Sequence, residues 1–234
     1  EFLTIREQIA IGEEARRIGY PVTWQCYTTV NDALLDQKIC AKLYEAGCRA
    51  VQMGFETLSE ETLGRESKRW NHPGNYGRIL ENLQNVGIQT HVFLIVGLPG
   101  EPLYWSLRWL PCLEEHGDKI LTLKSSRYRL ARRSPEEIYG THSEWIEVMP
   151  EEDKPLRLNR DFRYKSVSNH QIDAMLDILE QACRRHWAYA VTSTIPWWIN
   201  RGRYRLDQLQ QMARLLPEEP LVPHLGRAMK KIKT

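Results

Sequence analysis

Phe93-Leu94-Ile95-Val96-Gly97-Leu98-Pro99-Gly100-Glu101 is the stretch on which the fold turns. Four apolar residues in a row, with no polar alternation, suit a strand covered on both faces, as in a parallel sheet. Gly97 to Gly100 then breaks the chain, and Pro102 suits the first turn of a following helix. The strand is predicted over 90–96. Working backward, Tyr76, Ile79, Leu80, Leu83 and Val86 recur at helical spacing and stop at Gly87. Before them, 49–55 reads as another strand. A helix with Leu35, Ile39 and Leu43 on one face, capped by Asn31 or Asp32, ends at Gly47, a residue suited to the left-handed position after a helix. Earlier still, 22–30 is rich in β-branched and aromatic residues. The first helix has Thr4 and Glu7 at capping-box spacing and stops at Gly19. Working forward, Pro111 should kink or end the helix opened by Pro102, and a fourth strand starts at 120–123.

Strand–helix–strand units of this size imply parallel strands joined by crossovers. Four such strands make either an open sheet or an arc of a barrel, and ligands gather at the carboxyl ends of the strands in both. That places Thr29, Glu56, Gly97 to Glu101 and the 127–133 region on the functional rim. After about residue 134 the pattern changes. Pro135, Pro150 and Pro155 with Glu151, Glu152 and Asp153 mark an irregular connector. A helix follows with Ile172, Met175, Leu176, Leu179, Ala182 and Cys183 on one face, then a second over 206–216 and a basic tail from Lys230. The expected division is residues 1–140 as α/β and 141–234 as a mainly helical extension.

Composition narrows the function. With 234 residues, 42% hydrophobic and 26% charged, the chain reads as a soluble globular protein. A net charge of +2 makes no global field for nucleic acid. No apolar run reaches the roughly 18 residues of a membrane span, and no targeting segment is visible. The five cysteines, Cys26, Cys40, Cys48, Cys112 and Cys183, show no CxxC spacing and read as free thiols in a reducing cytoplasm. The seven histidines lack metal-ligand spacing such as HExxH, so no metal is assigned to this chain.

Two segments carry chemistry. Glu56 ends the strand in Ala46-Gly47-Cys48-Arg49-Ala50-Val51-Gln52-Met53-Gly54-Phe55-Glu56, where its carboxylate can accept hydrogen bonds from paired hydroxyls such as those of a ribose. Lys68 lies twelve residues on, past a turn that Ser59 can cap, and could hold an anion. A solvated Glu and Lys on a surface loop is the plainer alternative. In the second segment, Gly97 and Gly100 let backbone approach a flat ligand such as an adenine edge. A tight strand-to-helix turn, with Glu101 at the helix N-terminus, is again the plainer alternative. Neither Gly-x-Gly-x-x-Gly nor a Walker lysine is present. The arginines 127, 129, 132 and 133 are either an anion site or a solvated face. Trp197 and Trp198 either line a cavity or pack the core.

Taken in order, Trp24, Ala46 to Arg49, Gly54, Glu56, Lys68 and Gly87-Ile88 through Glu101 resemble the radical S-adenosylmethionine (SAM) superfamily, most closely its cobalamin-associated branch. The Arg133-Ser134-Pro135 stretch fits as well, and the resemblance covers about residues 1 to 140. It implies a partial (β/α) barrel. It also implies that Glu56 contacts the ribose of SAM, Lys68 its carboxylate, and Val96 and Gly97 its adenine. Phe93 stands where some relatives carry an acid, and Thr29 where some carry an arginine, so no role passes to either. The family's CxxxCxxC, which binds a 4Fe-4S cluster, does not occur here, and neither does a Gly-Gly-Glu-like segment. Both are expected upstream of Glu1, in a chain that opens without Met. The complete protein would then cleave SAM with an electron from a flavodoxin or ferredoxin. The resulting 5′-deoxyadenosyl radical would act on a small-molecule or peptide substrate, with cobalamin-dependent methyl transfer one outcome. The alternative is a non-catalytic binding or interaction module built on the same barrel.

Overall fold

The computed structural model describes residues 3–150, 158–183, 187–191 and 201–205, the side chains as far as 181. Trp197 and Trp198, the expected helix over 206–216, the basic tail, the acids 151–153, Pro155 and the side chains of Ala182 and Cys183 lie outside the described residues.

Helix α1 spans Ile5–Arg17, and its start is set by the reciprocal capping box of Thr4 and Glu7. Strand β1, Trp24–Thr28, is shorter than the expected 22–30. The next helical segment is split. A 3-10 turn, Asp32–Leu35, is capped by Asn31, and α2, Gln37–Glu45, is capped separately by the Asp36 side chain. Two caps in succession satisfy two sets of free N–H groups, which one continuous helix would not require. Strand β2, Cys48–Glu56, leads to α3, Glu60–Arg65, capped by Ser59. Helix α4, Tyr76–Asn85, precedes β3, Gln89–Val96. A 3-10 helix, Leu103–Arg108, opens after Pro102 and passes into α5, Trp109–His116. The helical segment is broken just before Pro111, where the 3-10 helix gives way to α5, and Pro111 falls in the first turn of α5, where a missing N–H leaves no bond unmade. Strand β4 is Thr122–Arg127.

Strands β1 to β4 are parallel neighbours in that order, so the expected α/β arc is present and the sheet is not closed. Val51, Met53 and Phe55 of β2 and Val92, Leu94 and Val96 of β3 turn to one face. There they bury with Leu34, Leu43, Ile79, Leu80, Leu83 and Leu113 from the helices. Phe55 stacks on Tyr76 with ring centroids 4.0 Å apart, and Trp109 stacks beyond both. This aromatic stack anchors the carboxyl end of β2.

Among the described residues beyond 140, strands accompany the expected helix. After the short α6, Pro135–Tyr139, strands β5 (Ile146–Val148) and β6 (Phe162–Tyr164) form a two-stranded antiparallel sheet. The predicted helix is present as α7, Asn169–Cys183, with Ile172 and Leu179 buried in the main core. Strands β7, Trp187–Val191, and β8, Arg201–Arg205, then extend the main sheet, β8 lying antiparallel to β4. Three-residue strands such as β5 and β6 are too short to show a period, and Arg-Gly-Arg-Tyr-Arg in β8 has no apolar alternation.

Candidate functional site

The face of the sheet turned away from the helices carries Gln52, Gly54 and Glu56 from β2 and His91 and Phe93 from β3, with Thr122 and Lys124 from β4. The register aligns Gln52, His91 and Thr122 in one row, and Gly54, Phe93 and Lys124 in the next toward the carboxyl ends. Gln52 and His91 are buried, and neither atom of the Gln52 amide nor His91 Nε2 has a hydrogen-bond partner. His91 Nδ1 meets the Thr122 hydroxyl at 2.6 Å. Burial lowers the His91 ring to a pKa of about 4, so it is neutral at physiological pH.

Glu56 and Lys68 are brought together. Lys68 Nζ lies 2.5 Å from Glu56 Oε1, with the two side chains 34% and 14% exposed. Glu56 is a non-glycine residue at φ 60°, and the β2–β3 register slips between Gly54 and Glu56. Local strain of this kind persists only where neighbours hold it. Here Asn71 donates to the carbonyls of Gly54 and Phe55, and the Tyr76 hydroxyl donates to Phe55 O at 2.8 Å. Gly54 makes the space: a Cβ there would stand 2.2 Å from Glu56 Oε1. The solvated-loop alternative fails for Glu56, whose carboxylate is mostly shielded and paired.

The glycine-proline turn adjoins this pair. The Thr57 hydroxyl donates to Glu101, tying the end of β2 to the turn. Glu101 therefore faces β2 and α3 and does not serve as a helix-terminal acid. Its carboxyl pKa is raised by burial, against the lowering effect of the hydroxyls of Thr57 and Thr62. Val96 is wholly buried, and its carbonyl accepts from Tyr128 N at 3.0 Å. Gly97, at φ 80°, gives its carbonyl to the Tyr164 hydroxyl at 2.6 Å. A carbonyl has a second lone pair, so these bonds leave each oxygen one further acceptor site. A Cβ at Gly97 would lie 2.9 Å from Ile172 Cδ1, and one at Gly100 2.6 Å from the Trp145 ring. Both glycines therefore serve close packing of the later chain as well as any ligand. A cleft of about 230 Å³ runs between Gly97–Leu103 and Trp145, Tyr164, Ser166 and Val167. No spacing in the sequence tied those last four residues to the turn.

The arginine stretch is divided by its neighbours. Arg127 pairs with Asp173 of α7, and the Arg133 backbone N–H donates to Glu137. The exposed Arg129 and Arg133 side chains leave part of the stretch a solvated face.

A SAM molecule fits what is present: an acceptor carboxylate and an ammonium side by side at a strand end, next to a turn open to close approach. An iron–sulfur cluster does not fit the described cysteines. Among the described residues, no group of three or more His, Cys, Asp or Glu side chains could hold a metal ion. The Cys26 thiol donates to Gln8 Oε1 and the Cys48 thiol to Ala50 O, and burial pushes Cys40 and Cys112 up to about 11, which disfavours the thiolate form a metal needs. Among the described residues no helix is long and apolar enough to cross a membrane.

Comparison with known proteins supports the fold. No curated protein matches this sequence. The chain is similar in structure to coproporphyrinogen III oxidase (HemN) of Escherichia coli, described as a radical SAM enzyme. That match has 13% identity and a TM-score of 0.56, covering 91% of this chain and 43% of that one. It is also similar to the radical SAM methyltransferase TsrM of Kitasatospora setae, solved with tryptophan substrate and a SAM analogue, at 14% identity and a TM-score of 0.55. There the match covers 76% of this chain and 40% of that one. The chain thus spans about two fifths of the length of these structures, and at such identities the likeness speaks for fold alone. Residues 1–103 match the family model described as Radical SAM superfamily, a span that holds β1 to β3, Glu56, Lys68 and the whole glycine-proline turn. Over that span the chain matches the radical SAM superfamily model, and its four parallel strands have the fold of a partial barrel of that kind.

Proposed function

We propose that this chain is the SAM-binding arc of a radical SAM enzyme. The observation that carries the reading is the Glu56–Lys68 pair at the end of β2, beside the turn that follows β3. Glu56 would accept from the ribose hydroxyls, Lys68 would hold the carboxylate, and the backbone from Val96 to Gly97 would line the adenine. Bound beside a reduced 4Fe-4S cluster, SAM would supply radical chemistry able to take hydrogen from an unactivated position. The cluster ligands in this reading lie outside the described residues, with the electron coming from a flavodoxin or ferredoxin. The chain's own part is to bind and orient SAM and to shield it from water. The shielded Glu56 strengthens that grip, because a partly buried carboxylate meets less competition from solvent.

Methyl transfer to carbon with cobalamin is the finer outcome we favour, on the branch-like sequence around Ala46–Glu56 and the fold shared with the methyltransferase TsrM. HemN shares the fold under a different name of activity, so substrate and reaction must be read from the protein itself. We assign it a small-molecule or peptide substrate and a place in the cytoplasm.

Calorimetric titration with SAM tests the reading. Glu56→Gln and Lys68→Met are each expected to weaken SAM binding by about 10-fold or more, the range for a charge-assisted hydrogen bond. Undiminished binding in both variants would defeat the assignment. A chain that binds no SAM would favour the non-catalytic module. Gly54→Ala separates the site from the fold. The atom its Cβ would meet is the mobile end of the Glu56 side chain, so stability should change by less than about 1 kcal/mol. The carboxylate must nevertheless leave its place beside Lys68, and SAM binding should fall with it. Denaturant melts and the same titration read the two effects separately.

A further inference from the structure

A chain of contacts runs between the two halves of the proposed SAM site through residues that the family match does not reach. Tyr128, just after β4, donates its N–H to Val96 O at 3.0 Å. Its hydroxyl lies 3.0 Å from His142 Nδ1. His142, only 3% exposed, places Nε2 3.2 Å from Glu66 Oε1, a side chain that is itself 11% exposed. That last contact is electrostatic, since Glu66 Oε1 accepts no aligned hydrogen bond. Burial, with Glu66 and Glu136 nearby, pushes the Tyr128 hydroxyl well above its ordinary range and keeps it protonated. A Tyr128 hydroxyl that donates to Nδ1 leaves the ring proton on Nε2, facing Glu66. This tautomer gives Nδ1 its donor and turns the Nε2 proton toward the Glu66 carboxylate.

Glu66 stands two residues before Lys68. It is the C-cap of α3, and Ser67 then turns through φ 56° before Lys68 N closes on Leu63 O at 2.7 Å. A non-glycine residue in that region is held by its surroundings rather than by preference. Lys68 thus leaves α3 directly after the cap that Glu66 makes, and His142 lies against the Glu66 carboxylate. A second clamp lies alongside: Arg65 sits over the Trp145 ring, and Trp145 packs on Gly100.

We propose that His142 is a positioning residue for SAM, fixing Glu66 and through it the reach of Lys68 toward the carboxylate of the bound molecule. The inference rests on the SAM-binding reading above. It assigns a role to a segment, 140–146, outside the matched span and without any sequence motif for that role. His142 touches neither Lys68 nor Glu56 and takes no part in the chemistry. Its effect is on one end of the ligand only.

The test uses two ligands. SAM carries the carboxylate, and 5′-methylthioadenosine has the same adenosine and thioether without it. By calorimetry on the full chain, His142→Phe is expected to weaken SAM about fivefold and leave 5′-methylthioadenosine unchanged, with His142→Gln recovering part of the loss. Amide hydrogen exchange should quicken at Lys68 and Asn71 in His142→Phe and stay unchanged in α2. Equal loss of both ligands would mark His142 as merely structural and overturn the proposal, as would no loss of either. SAM binding that responds to Lys68→Met but ignores His142→Phe would overturn this inference alone. A wild-type chain that binds neither ligand would overturn the SAM-binding reading and this inference together.

Discussion

Replacing Gly47 with alanine is expected to lower the free energy of unfolding by about 3–4 kcal/mol, combining left-handed backbone strain with a clash that cannot relax. Gly47 follows α2 at φ 107° and hands the chain to β2. A Cβ there would stand 2.1 Å from the carbonyl oxygen of Val22 and 3.2 Å from the Trp24 ring. The first of these is backbone and has nowhere to go. Trp24 N donates to Gly47 O at 3.0 Å and Trp24 Nε1 to Ala46 O at 3.1 Å, so the same spot starts the β1–β2 pairing. The control is Gly19, at φ 82°, where a Cβ would meet nothing within 4 Å. Gly19→Ala meets only the backbone strain and should lose about 1 kcal/mol. Urea unfolding of both variants measures the difference. Equal losses would show that the Val22 contact costs nothing and that strand entry here is looser than the geometry implies.

The second large effect is acid sensitivity traced to His91. Its ring has a pKa of about 4 in the folded chain against an ordinary value of 6.5, because burial opposes the charge. The folded state therefore binds fewer protons than the unfolded state between those values. Stability is fully present above pH 6.5 and is lost as pH falls toward 4, by about 3 kcal/mol in all. His91→Gln keeps a partner for Thr122 but cannot take up the proton. Unfolding free energies at pH 7 and pH 4.5 should diverge between the two proteins, the wild type losing more on acidification. Glu101 shifts in the opposite sense. With its carboxyl pKa raised by burial, its contribution is present below the ordinary 4.5 and is lost as pH rises through the folded value. It is common to both proteins and cancels in the comparison. Identical acid losses would mean that His91 takes up its proton without breaking the fold.

Both predictions bear on the strands that frame the candidate site. Gly47 sets the start of β2, at whose far end Glu56 stands, and His91 lies in the row directly beneath Gly54 and Phe93. A gain of charge at His91 would thus disturb the floor of the candidate site. The unpartnered Gln52 amide lies in that same row.

The sequence by itself determined the elements whose causes are local. Thr4 and Glu7 are three residues apart and make the capping box of α1, and Gly47 and Gly87 take the left-handed turns after their helices. The apolar run before Gly97 became a buried parallel strand, and Glu56 stands at the end of its strand as its position in the sequence implied. Only the tertiary structure decided the rest. Nothing near residue 201 announces a strand beside β4. The Tyr164 hydroxyl on Gly97 spans 67 residues, and the His142 link to Glu66 joins a loop to a helix end in another part of the chain. A cap or a glycine turn acts over one helical turn, so its residues carry its whole signal. A contact between distant residues is chosen by what the rest of the chain has already packed, and no window of sequence contains that information.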